Sequence, residues 1–420
     1  MITTTTLLPG VTLQCFHDTR FKQGCLSFQL IRPMCREEAS KNALIPAVLL
    51  RGCSAAPDLR AITLRLDDLY GASVGALVRR VGDYQTTGLY CSFMEDRFAF
   101  SGDRILEPMI AFLKELLFDP VLVNGAFHPD FVESEKTNLI ATIESQLNDK
   151  RSYALSQMLK KMCPTDSYGI PRLGQVPQVR AITPEDLTGH YRRILAESRI
   201  DLFYVGSTPA DQVAKLLMPL FEGLDRSYVN LPEQTPFQDP PTGNHTQTMN
   251  VAQGKLAIGF ATPITTRDED FPVMQVLNSL FGGGMTSKLF LNVREKQSLC
   301  YDIHSGYYGS KGILYVAAGI DCSQEDNVYR QVLAQLDACR RGEISDEELS
   351  AAKESLISSL RGVHDSPGAI ESYYATGVLS GHRLDPAGYI DRIRAITAEQ
   401  VAQAAQTLEQ HTKYFLRGNA

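Results

Sequence analysis

The sequence has no apolar run near the ~20 uninterrupted residues that a membrane-spanning helix requires, and the stretch Ala43–Leu50 stops at Arg51. It has no excess of positive charge either. With 41 basic against 48 acidic residues, a formal charge of −7 removes the basic field that nonspecific nucleic-acid or anionic-membrane binding needs. Neither a nucleic-acid nor a membrane partner is therefore expected. No C-x-x-C pair occurs among the nine cysteines, which are scattered and odd in number, so neither a zinc ribbon nor a disulfide framework is indicated. Buried, reduced thiols in a cytoplasmic protein are the expectation. Met1–Gly10 lacks a positive segment followed by an apolar stretch and a small-residue cleavage site, so nothing marks the chain for export. The histidines are equally uninformative as ligands. None forms an i, i+4 pair or lies in zincin order with a glutamate, whereas a helical zinc site needs two imidazoles on one face and a carboxylate base. His17, His128, His190, His245, His304, His364, His382 and His411 are expected on the surface or in loops.

What remains is an ordinary globular chain of 420 residues, 44% apolar and 21% charged, long enough for two or three domains. It contains one unit twice. Gly24–Pro33 matches Gly254–Pro263, each an alternating strand pattern ending in proline. Lys136–Ile140 matches Lys353–Ile357, followed by Asp149 and Asp365 respectively. Arg180–Leu187 then matches Arg394–Val401, and Phe203–Gly206 matches Phe415–Gly418 as a closing strand. Four landmarks in one order, with offsets drifting from 230 (254 minus 24) to 212 (415 minus 203), indicate duplication. Between the copies, Val229–Thr248 carries Pro232, Pro236, Pro240 and Pro241 and reads as a stiff, extended linker. The expected organisation is one repeat over residues 1–228, a linker over 229–248 and a second repeat over 249–420.

Inside each repeat the apolar period switches between two and 3.6. Leu59, Ile62, Leu66 and Leu69 mark one helix, and Ile105, Met109, Phe112, Leu113 and Leu116 another. Ser345 with Glu348 is a capping box, Thr397 with Gln400 opens the last helix, and Thr183-Pro184 opens its counterpart. Thr87–Phe93, Ile200–Gly206, Lys255–Phe260 and Gly312–Ala318 read as strands. The predicted fold class is α+β: two homologous tandem domains, each a mainly antiparallel sheet covered by helices.

Three motifs invite chemistry. Gly71–Gly75 satisfies G-x-S-x-G around Ser73, but it follows a helical pattern where a nucleophile elbow needs a strand, so a glycine-bearing helix end is expected. Gly282–Lys288 is out of register for a phosphate loop and follows the helical pattern of Phe271–Phe281, so it reads as a flexible loop between helices. Arg294 and Tyr301 are seven residues apart, which suits either one helical face or a helix end and the strand after it. Both geometries aim a guanidinium and a phenol at one carbonyl or carboxylate.

The Gly282–Tyr301 stretch resembles the second-half signature of the pitrilysin and mitochondrial-processing-peptidase family of zinc peptidases: a glycine-rich turn, a Ser-x-Leu-Phe helix, then Arg-Glu and a tyrosine seven residues after the arginine. The duplication, the linker and the Lys136 and Lys353 helices are similar too, so the resemblance spans nearly the whole chain. Active members carry an inverted motif, H-x-x-E-H, on the first long helix. Here Leu50–Cys53 sets the register and places Ala43, Pro46 and Ala47 at the two histidines and the catalytic glutamate. The family's third ligand falls at Thr142, counting seven from Glu135. Alanine, proline and threonine supply neither a suitable zinc donor nor a base.

The resemblance therefore implies a noncatalytic, substrate-binding subunit of a heterodimeric, cytosolic zinc peptidase. Arg294 and Tyr301 would act in trans on the substrate carbonyl, with no metal on this chain and zinc on a homologous partner bearing H-x-x-E-H. Unfolded peptide would be the substrate, added as a β-strand to a sheet edge. An isolated chain could also pair with a second copy. The alternative is a non-enzymatic peptide-binding or scaffolding protein of the same fold.

Overall fold

The computed structural model describes residues 2–382 and 384–418. In chain order the first part comprises β1 (Ile2–Leu8), β2 (Val11–His17), β3 (Gln23–Pro33), α1 (Ala39–Leu49), α2 (Leu59–Asp68), β4 (Ser73–Val81), β5 (Tyr84–Met94) and α3 (Leu106–Phe118). The short pair β6 (Leu122–Val123) and β7 (Ala126–Phe127) follows, then α4 (Pro129–Ser145), α5 (Lys150–Met162), α6 (Val176–Ala181), α7 (Pro184–Glu197), β8 (Arg199–Gly206) and α8 (Ala210–Leu217). The second part runs through β9 (Gly243–Met249), β10 (Gly254–Ala261), α9 (Phe271–Phe281), a π-helical segment (Leu289–Glu295), β11 (Cys300–Tyr308) and β12 (Ile313–Ile320). It ends with α10 (Glu325–Arg340), α11 (Asp346–Arg361), α12 (Pro367–Ser380), α13 (Pro386–Ala395), α14 (Ala398–Gln406) and β13 (Glu409–Gly418).

The duplication is written in the sheets. One sheet has the order β1-β2-β8-β3-β5-β4 and the other, read from β9, has β9-β13-β10-β12-β11. Apart from the extra strand β1, the two orders correspond position by position. Each sheet is antiparallel except for one parallel pair, β2 with β8 and β13 with β9, again in equivalent places. The repeated landmarks fall on equivalent elements: β3 with β10, α4 with α11, the α6–α7 junction with the α13–α14 junction, and β8 with β13. Local chemistry explains several boundaries. Ser345 and Glu348 form both bonds of a capping box at α11, Thr397 and Gln400 do the same at α14, and the Thr183 side chain accepts the Asp186 N–H at α7.

The chain forms two compact units that are interleaved in sequence. The first comprises residues up to 144, 170–233 and 364–376; the second comprises 145–169, 234–363 and 377 onward. The repeats expected at 1–228 and 249–420 are thus repeats of sequence, and each compact unit takes one helix from the other repeat. In the first unit, Leu26, Phe28 and Leu30 of β3 share a core with Phe112 and Leu113 of α3 and Leu187 and Ile194 of α7. Its opposite sheet face receives the start of α12, where Ile370 packs with Phe16, Cys25 and Val205. The fully buried Glu371 accepts from Ser27 Oγ (2.8 Å), Gln29 Nε2 (2.8 Å) and Arg79 Nη1 and Nη2 (3.0 and 2.8 Å). In the second unit the corresponding face is covered by α5. Ala154, Met158 and Met162 of α5 pack there with Ala257, Tyr414 and Leu416, and a β-carbon on Gly259 would meet the Met162 and Met158 sulfurs at 2.6 and 2.8 Å.

The structure corrects the sequence reading at several places. The stretch expected to be linker to Thr248 ends earlier, because Gly243–Met249 forms β9 beside β13. Its four prolines lie before residue 242, so the N–H groups beyond them are free to join a sheet. His190 and His411 are buried within α7 and β13 rather than on the surface, the first held by polar partners described below. Cys35 and Cys322 are only half-buried, and the other seven cysteines are buried. Leu59, expected on a core face, is 49% exposed.

Candidate functional site

The position of the family's zinc motif lies on α1, which is buried along most of its length. Pro46 stands inside this helix, where it has no N–H to give the carbonyl four residues back. That carbonyl belongs to Asn42. The Thr87 hydroxyl of β5 donates to it instead, at 2.6 Å, so the helix passes through its proline without a stranded acceptor. Asn42 itself is fully buried and donates from Nδ2 to Gln85 Oε1 (2.9 Å). Gln85 in turn donates to the carbonyls of Ala39 and Arg172 (3.0 and 2.8 Å).

His190 completes this network, with Nε2 2.7 Å from Asn42 Oδ1 and Nδ1 3.0 Å from Arg193 Nη2. Because the guanidinium can only donate, Nδ1 accepts and the ring proton sits on Nε2. Burial pushes this imidazole down to about 4, with Arg193 acting in the same sense and Glu38 opposing. It is neutral at pH 7 and engaged with its neighbours.

Ala43, Pro46 and Ala47 bring no donor suited to zinc. Thr142, on the exposed side of α4, donates its hydroxyl to the Asn138 carbonyl at 2.8 Å, and Glu135 is held by Arg51 (3.4 Å) and Asn138 (3.1 Å). Among the described residues, no three His, Cys, Asp or Glu side chains form a group that could hold a metal ion. These residues do not fit catalytic zinc.

The second candidate lies in the other unit and is built from irregular backbone. Helix α9 ends at Gly282, whose carbonyl accepts the Ser305 N–H of β11 at 2.9 Å. A β-carbon there would lie 2.7 Å from Ser305 Oγ and 2.8 Å from Ser305 N and Leu289 Cδ1, so the glycine-rich turn serves close docking on β11. Lys288 is not a free phosphate ligand, since its ammonium meets both oxygens of Glu348 at 2.7 and 2.8 Å. Ser73 likewise begins β4 after a helix end and the left-handed residues Tyr70 and Gly71, the reverse of a nucleophile elbow.

After Ser287 the chain winds into the π segment, burying Leu289 and Val293 and leaving Arg294 partly exposed. Ser298 turns the chain with φ +53°, and the Ser298 and Leu299 N–H groups close back onto Arg294 and Val293. Strand β11 then begins with a bulge. Cys300 and Asp302 face the adjacent residues Ile320 and Gly319 of β12, which leaves Tyr301 as the extra residue, 57% exposed.

Arg294 and Tyr301 meet through the backbone: Arg294 Nε donates to the Tyr301 carbonyl at 3.0 Å. Of the two geometries the spacing allowed, the helix end followed by a strand is the one found. The guanidinium lies 4.6 Å from the Phe290 ring centroid and 3.4 Å from Glu295. One N–H is used on the main chain and Nη1 faces Glu295, which leaves further donors of the guanidinium, while the Tyr301 side chain is exposed. π turns, left-handed residues and bulges each depart from regular geometry and are frequent at functional sites. Three of them fall between Leu289 and Asp302. No spacing rule in the sequence signalled the π turn or the bulge. Neighbouring groups are buried: the Cys300 thiol is pushed up to about 11 by burial and then by Asp302, and burial lowers His304, with Arg151 adding to it. The thiol is therefore protonated at neutral pH and is not a nucleophile.

Comparisons with known proteins find similarity to inactive members of a peptidase family. Residues 181–356 match the family model described as peptidase M16 inactive domain, a span that includes Arg294 and Tyr301. The chain is 29% identical, over 97% of its length and 96% of the relative's, to the probable inactive metalloprotease YmfF of Bacillus subtilis. A conserved protein from Enterococcus faecalis superposes with a TM-score of 0.93 at 27% identity, covering 100% of this chain and 99% of that one. The crystal structure of a peptidase M16 inactive domain from Pseudomonas fluorescens gives 0.83 at 17% identity, covering 100% and 98%, which supports the fold alone.

Proposed function

The chain belongs to the pitrilysin, or M16, peptidase family as one of its inactive, YmfF-like members, and on that premise we propose that it is the substrate-binding subunit of a heterodimeric zinc peptidase. A homologous partner carries H-x-x-E-H and its zinc, and this chain brings Arg294 and Tyr301 to the substrate carbonyl across from that metal. The observation that supports the reading is the contrast between the two candidate sites. Helix α1 is sealed around Ala43 and Pro46 without a metal donor, while the Arg294–Tyr301 junction is held in an irregular, outward-facing geometry.

A phenol and a guanidinium suit this role because both donate to a carbonyl oxygen that gains negative charge as water attacks. The attacking water and its base come from the partner. Strand β11 ends its sheet, with β12 as its single strand neighbour, so an extended peptide can add there by main-chain hydrogen bonds with loose sequence preference. Among the described residues no helix is long and apolar enough to cross a membrane, and a cytoplasmic pair acting on unfolded peptides is the setting proposed.

The test is hydrolysis of a quenched, unstructured peptide by this chain alone, by the partner alone and by the mixture. Zinc content is measured in each. Activity confined to the mixture, reduced at least tenfold in kcat/KM by Arg294→Ala and by Tyr301→Phe, is the expected result. Peptide binding without hydrolysis in every sample would favour a scaffold, and unchanged kinetics in both variants would refute the role of the pair.

A further inference from the structure

The first unit contains a cavity of about 350 Å³ between the C-terminal end of α3, the β6–β7 hairpin, α7 and the loop after α8. That volume is at the lower end of the ~300–1,000 Å³ usual for small-molecule sites. Its walls are apolar, formed by Leu117, Phe118, Phe127, Tyr191, Leu195 and Leu220. The polar groups in these walls are already satisfied. The Tyr191 hydroxyl donates to the Leu117 carbonyl at 2.6 Å, and Thr188 accepts the Phe127 N–H at 2.8 Å while donating to the Pro184 carbonyl at 2.6 Å. A ligand body lying here meets hydrocarbon and no orphaned polar atom.

The remaining lining is charged and unequal in sign: Lys114 and Arg192 against Glu222. Each cation is fixed by a main-chain carbonyl, Lys114 Nζ by Pro219 at 2.7 Å and Arg192 Nη2 by Gly125 at 2.9 Å. These bonds orient the heads without neutralising them, since a carbonyl carries no net charge. An ammonium has three donors and a guanidinium five, so further N–H groups are available to an anion. Of the lining residues, Leu122 is 42% exposed, so the cavity has an apolar edge open to solvent.

We infer that this cavity binds an apolar carboxylate, with the hydrocarbon against Leu195 and Leu220 and the carboxylate between Lys114 and Arg192. The chemistry fits a medium-chain fatty acid and equally the free C-terminus of a peptide that ends in a bulky apolar residue. All the residues involved lie within the first unit, so the site shares no residue with the Arg294–Tyr301 junction.

The chain has no tryptophan, so Phe118→Trp places a single indole reporter in the wall. Decanoate, 1-decanol and two short peptides ending in Leu-Phe, one as the free acid and one as the amide, are titrated into that variant. Decanoate binding more tightly than decanol is expected, with Arg192→Gln and Lys114→Met each weakening decanoate about fivefold or more while leaving decanol unchanged. Glu222→Gln should tighten decanoate, because it removes the opposing charge. Binding of the peptide acid but not its amide identifies a chain terminus as the source, and binding of decanoate alone identifies a lipid. Equal affinity for decanoate and decanol, or decanoate affinity insensitive to both cation substitutions, overturns the inference. Isothermal titration of decanoate into the unsubstituted chain is the control that does not depend on the reporter variant.

Discussion

Replacing Thr87 by valine should expose the cost of the proline that stands where the family's catalytic base would be. The hydroxyl of Thr87 donates to the Asn42 carbonyl at 2.6 Å, and both residues are at most 1% exposed. Valine has the same shape and no donor, so the variant strands a buried acceptor, with a cost of about 1–3 kcal/mol. In a Pro46→Ala background the helix recovers an N–H at residue 46 that can serve the same carbonyl, and Thr87→Val should then cost less than about 1 kcal/mol. The four proteins form a double-mutant cycle with an expected coupling of about 1 kcal/mol or more. Urea unfolding followed by far-ultraviolet circular dichroism gives the midpoints, and an unchanged slope licenses reading their shifts as free energies. If Thr87→Val costs the same in both backgrounds, within about 0.5 kcal/mol, the hydroxyl does not compensate for the proline.

Acidification should destabilise the first unit through His190: its folded pKa is pushed down to about 4 by burial, below the ~6.5 of an unfolded chain. The unfolded state therefore binds the extra proton. Stability is fully present above about pH 6.5 and falls as pH drops toward 4, by up to about 3 kcal/mol; His190→Gln should flatten that part of the pH–stability curve, and an unaltered slope would contradict it. Glu371→Ala should cost about 3 kcal/mol, since it leaves Arg79, Ser27 and Gln29 without their common acceptor, whereas Glu371→Gln should cost less; equal urea midpoints for the two variants would refute that ranking. Ser298→Gly should raise the melting temperature of the second unit slightly, because φ +53° costs a non-glycine residue about 1 kcal/mol or more. A lowered melting temperature would show that the serine side chain contributes more than its backbone strain.

The duplication was legible because both copies retain the same landmarks at the same elements, and the capping boxes at Ser345 and Thr397 announced their helices locally. Strand β4 was less visible: Gly71, after a helix end, lies just before it and Gly75 lies within it, so a two-residue alternation starting at Ser73 is masked by turn residues. The exchange of α5 and the start of α12 between units could not be read at all. Nothing in the apolar face of Ala154, Met158 and Met162 specifies which sheet it covers, because packing against Ala257 and Leu416 is decided by tertiary distance. The same holds for Thr87 and Asn42, 45 residues apart. For Arg294 and Tyr301 the spacing narrowed the geometry to two arrangements, and only the bulge at Tyr301 and the π turn before it decide between them.

The two candidate sites differ in the kind of change they accommodate. Helix α1 faces a core, and a core accepts apolar residues in place of ligands if every polar atom left behind is partnered. Ala43 and Pro46 fill that space, and Thr87, Gln85 and His190 serve the Asn42 backbone and side chain. Such a replacement lowers no barrier to folding and leaves a sound interior. The Arg294–Tyr301 junction gains nothing comparable from burial: Tyr301 is 57% exposed and Arg294 spends only one donor on the main chain. A left-handed serine and an unpaired bulge residue cost free energy in any folded chain, and a regular helix running into a regular strand would avoid both. A stability argument alone therefore explains α1 and does not explain the irregular backbone at Arg294, which is the feature that the proposed contact with substrate would use.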